Sequence, residues 1–225
     1  LLYRTPFISG KDSLNNEYLD STSGQQVAIP PSLLISAIGL VPDVRRSCTM
    51  DFKKAGSLLY VVGETRRELG GSYYYRLQGV TGISVPRTAR FGRLAACRVH
   101  RAMKEGLIMA CHDCSEGGAA LALAEMALAG GLGADVSLES FPAAGAQPAD
   151  DWLLFSESLG RYMIEVAPQD ARRFEELMAE VPHACIGQVS AHDRLNMRGV
   201  AGNSLMSVTL AELRRAFRGH LEEEI

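Results

Sequence analysis

The stretch Asp113-Cys114-Ser115-Glu116-Gly117-Gly118 sets a carboxylate, a hydroxyl and two glycines between a short apolar run and a long Ala/Leu-rich one. Those residue types in that order suit phosphate chemistry. A serine at the start of a helix is a natural N-cap, and paired glycines let a ligand approach the backbone closely. A helix N-terminus attracts phosphate through its unpaired N–H groups and its dipole. Asp113 beside such a terminus can hold a Mg2+ ion that bridges phosphate oxygens. The plain alternative is a helix cap with an exposed aspartate.

Gly10-Lys11-Asp12-Ser13 is a second candidate. It is not a P-loop, because Thr5 and Asp12 stand where that motif needs Gly and Ser or Thr. What remains is a glycine loop carrying a cation, a carboxylate and a hydroxyl, able to touch phosphate or metal; a surface turn is the alternative. Cys111-x-x-Cys114 has no second cysteine pair to complete four zinc ligands, so both thiols are expected reduced and metal-free. Glu157, in Phe155-Ser156-Glu157-Ser158 ahead of Gly160-Arg161, is expected to contact an arginine or backbone. Glu125, a lone acid in an apolar helix, is expected to be hydrogen-bonded. His100, His112, His183, His192 and His220 are scattered, with no triad or HExxH spacing.

The elements that must position these residues follow from composition and patterning. The 225 residues are 47% hydrophobic and 22% charged, with a formal net charge of −3, a globular composition that excludes disorder and coiled coil. The absence of a basic excess argues against a nucleic-acid partner. The longest apolar run, Ala119 to Gly131, contains Glu125 and is too short to span a bilayer, so no membrane role is expected. Five scattered cysteines suit reduced thiols, and the expected location is cytoplasmic. The chain begins at Leu1 rather than Met and is read as a piece of something longer.

Ser32 to Val41, bracketed by prolines, reads as a strand buried on both faces. Ser57–Gly63, Leu107–Cys111, Asp135–Leu138, Arg161–Val166, Cys185–Val189 and Ser204–Thr209 read as strands. Helices are expected over Arg90–Gly106, Ala119–Ala129, Pro168–Glu180 and Leu210–Leu221, with Gly130-Gly131 stopping the second. The late strands lie too close together for a Rossmann fold, so the class is α+β.

Taken in order, GKDSLNNEY (10–18), PPSLLISAIGLVPDVRR (30–46), LGGSYYY (69–75), HDCSEGGAALALAEMALAG (112–130) and LFSESLGRYMIEV (154–166) resemble the C-terminal part of the phosphoribosylformylglycinamidine synthase family in its small-subunit form. That family belongs to the aminoimidazole ribonucleotide synthetase-like superfamily. The resemblance implies that residues 1–53 are the tail of a second N-type α/β domain. Residues 54–225 would be the second C-type domain, a mixed sheet with packed helices.

It also implies an ATP- and Mg2+-dependent ligase of purine synthesis. The missing N-terminal part of the same chain, a separate glutaminase subunit and a small accessory subunit would be its partners. Gly10 would lie near ATP, Lys11 would contact phosphate, and Ser13 would lie near substrate. Asp113 would bind the metal and Ser115 the nucleotide, ADP for instance, at an auxiliary site. Glu116 stands where the family commonly has Asp. The resemblance places no catalytic residue here, since the catalytic histidine belongs to the other half. Two alternatives are another ATP-dependent member of the superfamily and a non-catalytic nucleotide-holding scaffold module.

Overall fold

The computed structural model describes residues 3–11, 16–28, 32–145 and 148–222. Two compact units divide between Val44 and Arg45, ahead of the 53/54 boundary that the resemblance implies. In the first unit, β1 (Glu17–Leu19) pairs antiparallel with β2 (Gln26–Ala28). Asp20 shapes the connecting turn, accepting from the amides of Thr22 at 3.0 Å and Ser23 at 3.2 Å.

The strand expected over residues 32–41 does not form. That segment has no regular structure, and Leu33, Leu34, Ile38 and Leu40 are each at least 86% exposed. An apolar run becomes a buried strand only when neighbouring strands pair with it, and no described strand does so here.

The second unit is built on β3 (Leu58–Val62), β4 (Ala110–Asp113), β5 (Gly133–Ser137), β6 (Tyr162–Val166), β7 (His183–Ser190), β8 (Arg194–Arg198) and β9 (Ser204–Thr209). They form a seven-stranded sheet in the order β4-β6-β3-β7-β5-β8-β9, antiparallel except for the parallel pair β5–β8. Helices α1 (Tyr73–Leu77), α2 (Gly92–Lys104), α3 (Gly118–Gly130), α4 (Asp150–Phe155), α5 (Ala171–Met178) and α6 (Leu210–Glu222) complete it. The architecture is α+β, as the patterning predicts.

Helices pack on both faces of the sheet's β3–β6 region, which explains the unbroken apolar run Leu58–Val62. On one face Leu59, Val61 and Met163 join Ala119, Leu123 and Met126 of α3 and Leu153 of α4. On the other, Tyr60, Val62 and Ile164 meet Ala95 and Val99 of α2 and Phe174 of α5. The Tyr60 hydroxyl escapes burial without a partner by donating to Glu175 Oε1 at 2.7 Å.

Small residues let α3 lie close to its neighbours. A side chain at Gly130 would meet the backbone of Phe52, and Phe52 itself is buried in the core. The helix stops at Gly131, whose left-handed φ of +65° suits glycine. Just beyond Phe52, the buried Glu165 carboxylate accepts from the amides of Lys53 at 2.8 Å and Lys54 at 3.0 Å and from the Ser57 hydroxyl. At the far end, Thr209 and Glu212 form a reciprocal capping box that starts α6.

Candidate functional site

Asp113 closes β4 on the outer edge of the sheet, opposite Tyr162 of β6, and its side chain is 63% exposed. The Ser115 hydroxyl donates to Asp113 Oδ2. That hydrogen bond, seconded by the backbone and His112, holds the Asp113 carboxyl below its ordinary range against a smaller opposing effect of burial. Asp113 is therefore ionised at neutral pH. His112 lies between two carboxylates, with Nδ1 3.2 Å from Asp113 Oδ1 and Nε2 2.8 Å from Glu125 Oε2. Glu125 is thus hydrogen-bonded, as the sequence reading expects.

Ser115 does not cap α3. The cap position belongs to Gly117, which has no side chain of its own to cap with. Gly117 and Gly118 both take positive φ, +73° and +67°, so the chain makes an extra turn before the helix begins. Ser115 is left outside it, with its side chain turned back to Asp113 and its carbonyl accepting from Gly118 N at 3.1 Å. Gly118 is obligatory there, since an added Cβ would come within 2.6 Å of the carbonyl oxygens of Leu154 and Ser156.

The N-terminus of α3 is met by a residue the sequence reading did not place there. Glu157 Oε1 accepts from Gly117 N at 3.0 Å and from Tyr73 N, at the start of α1, at 3.1 Å. This is the backbone contact expected of Glu157, but its location depends on chain segments brought together only by the fold. A carboxylate here complements the helix dipole.

The loop carrying Glu157 is fixed from below by Arg161, which is 1% exposed. Its guanidinium donates to Ser158 O at 3.0 Å, to Thr65 Oγ1 at 3.0 Å and to Ser156 O. The Arg161 carbonyl accepts from Cys114 N at 3.0 Å. One buried arginine therefore ties together both walls of the site. Ser158 and Ser156 add backbone contacts to Arg66 and Glu68.

Cys111 and Cys114 are free thiols. Burial pushes them up to about 12 and about 11, so neither is a ready metal ligand or nucleophile at neutral pH. Among the described residues, no group of three or more His, Cys, Asp or Glu could hold a metal ion. One carboxylate beside a hydroxyl instead fits a Mg2+ ion carried largely by phosphate and water oxygens.

Gly10 and Lys11 lie in the first unit, both exposed, while Ser13 falls outside the described residues. Asp113 and Ser115 are brought together within the second unit. Among the described residues, no helix is long and apolar enough to cross a membrane.

Residues 54–200 match the family model "AIR synthase related protein, C-terminal domain". The phosphoribosylformylglycinamidine synthase subunit PurL of Moorella thermoacetica is 38% identical over 219 residues, covering 96% of this chain and 28% of that protein. PurL of Synechococcus elongatus is 35% identical over 237 residues, covering 99% of this chain and 30% of that protein. This chain thus spans under a third of these relatives. Among solved structures, T. maritima PurL complexed with FGAR superposes with a TM-score of 0.68 at 21% identity, over 76% of this chain and 30% of that one.

Proposed function

This chain belongs to the AIR synthase related protein family, through its C-terminal domain, and on that premise we propose that it is a segment of a phosphoribosylformylglycinamidine synthase. The observation that carries this reading is 38% identity to a PurL subunit over 96% of the chain. In the complete enzyme, ATP would phosphorylate the amide oxygen of formylglycinamide ribonucleotide. Ammonia from a separate glutaminase subunit would then displace phosphate to give the amidine, in a cytoplasmic complex with a small accessory subunit.

Residues 1 to about 53 would be the tail of an N-type domain and residues 54–225 the C-type domain. The exposed Leu33, Leu34, Ile38 and Leu40 suit burial against the rest of that longer chain. Gly10 would lie by ATP, Lys11 by its phosphate and Ser13 by substrate.

At the auxiliary site, Asp113 would contact the Mg2+ of a bound nucleotide, and the Ser115 hydroxyl, whose proton goes to Asp113, would orient that carboxylate. The ion would offset charge on the phosphate oxygens. The Gly117 and Gly118 amides are already engaged by Glu157 and Ser115, so recognition falls to Asp113 and Ser115.

The test is amidine formation from formylglycinamide ribonucleotide, ATP and ammonia. The complete protein containing this segment should form product and the 225-residue chain alone should form none. An inactive complete protein, or a chain active alone at a comparable rate, would overturn the reading.

A further inference from the structure

A cleft of about 450 Å³ opens where the second unit begins, between residues 45–53 and the segment that links α2 to β4. It lies away from Asp113. Ile108 and Met109 precede β4 at one end, and Asp113 closes the other, about 10 Å along the strand.

The charge around this cleft runs against the chain's net −3. Arg45, Arg46, Lys53 and Lys104, all exposed, line it. The acid among its lining residues, Glu105, is held by Arg101 at 2.8 Å and Arg173 at 3.2 Å. Lys53 is shared with Asp51 at 2.5 Å. The carbonyl end of α2 also faces this region and would repel an anion, but Arg46 donates to the Lys104 carbonyl at 3.3 Å and offsets it. Arg45 is itself engaged, so the positive field rests chiefly on Arg46 and Lys104, and a concave wall focuses it.

Ser47, Cys48 and Thr49 add polar lining, and one part of the wall is apolar. Met103, Ile108 and Met109 are partly buried there. Methionine thioethers pack favourably against aromatic rings, and guanidinium groups grip phosphate with paired donors. The volume lies within the range of small-molecule sites, about 300–1,000 Å³.

We propose that this cleft binds a nucleoside monophosphate, with its phosphate between Arg46 and Lys104 and its base against Met103, Ile108 and Met109. The proposal is independent of any role for Asp113. A bare phosphate would use the cationic rim alone, and a sugar phosphate would leave the apolar wall in water.

The test is calorimetric titration of the 225-residue chain carrying Asp113→Asn, at low salt, with AMP, ribose 5-phosphate and inorganic phosphate. AMP should bind with a stoichiometry of one, at least tenfold tighter than the other two, and weaken as salt rises. Arg46→Gln with Lys104→Gln should weaken AMP at least tenfold while lowering the thermal midpoint by no more than a few degrees. Met103→Ser should erase the advantage of AMP over ribose 5-phosphate. Absence of AMP binding by the folded chain would overturn the proposal, as would affinity indifferent to both variants. Equal affinity for phosphate and AMP would overturn the nucleoside assignment. AMP binding that appears with Asp113 intact and vanishes on Asp113→Asn would place the nucleotide at the other site and also refute the cleft.

Discussion

Glu157 closes the N-terminus of α3 by accepting the Gly117 amide at 3.0 Å, from a loop on the far side of two further elements. The same oxygen takes the Tyr73 amide, so a single carboxylate joins the starts of α1 and α3. Removing it by Glu157→Ala should cost about 1–2 kcal/mol, the scale of a lost helix cap with a charge contribution. Glu157→Gln keeps an acceptor and should lose about half as much. Urea denaturation followed at Trp152 reads both, and an alanine variant as stable as the parent would show that the contact contributes nothing.

Two glycines with similar backbone angles should respond very differently to alanine. Gly71 (φ +75°) faces open space, whereas a Cβ at Gly118 (φ +67°) would strike two backbone carbonyl oxygens. Gly71→Ala should show only the left-handed backbone penalty of about 1–2 kcal/mol. Gly118→Ala should exceed it by about 2 kcal/mol or more, lowering the thermal midpoint by a further 4 °C or so. Equal midpoints for the two variants would contradict the close packing of α3 against the Phe155–Ser156 loop.

The thiols give a pH-resolved prediction. With the Cys111 and Cys114 thiols raised to about 12 and about 11, thiolate should form only as pH rises towards those values. At pH 8 roughly one molecule in 10⁴ and one in 10³ would carry it, and burial limits access further. Iodoacetamide at pH 8 should therefore label the exposed Cys97 and Cys185 and spare Cys111 and Cys114 in the folded chain. Peptide mass mapping after the reaction checks this; early labelling at Cys114 would contradict the burial assigned to it.

The parts of the fold legible in sequence are those whose pattern is local. Leu58–Val62 is continuously apolar because both its faces are covered, and α3 is Ala/Leu-rich and ends at a glycine. Arg194–Arg198 was not legible as a strand: Arg-Leu-Asn-Met-Arg lacks β-branched residues, and only its alternation, with Leu195 and Met197 buried, hints at it. The Tyr73–Leu77 helix hides in an aromatic stretch of low helix propensity. Residues 32–41 misled in the opposite sense, since apolar content alone does not supply a pairing partner.

The site was half legible. Asp113 and Ser115 stand out by type and spacing, and the structure joins them. The capping role read for Ser115 fails because two consecutive positive-φ glycines intervene, a conformation that sequence permits but does not demand. Glu157 was marked only by its neighbours, an acid between serines ahead of a glycine and an arginine. Its partner amide on α3 is set by tertiary structure alone.

The proposed role of Asp113, oriented by Ser115, is to hold a Mg2+-bound nucleotide. It is tested most directly by the nucleotide content and thermal midpoint of the complete protein carrying Asp113→Asn, measured with and without Mg2+. A metal-bridged contact of about 2–3 kcal/mol predicts a 30- to 100-fold or greater weakening of Mg2+-dependent nucleotide retention, exceeding the effect on folding. Ser115→Ala should weaken retention less, through loss of the hydroxyl that orients the carboxylate. If Asp113→Asn keeps the parent's nucleotide content and its response to Mg2+, Asp113 is an exposed strand-end carboxylate and the nucleotide reading of this site is wrong.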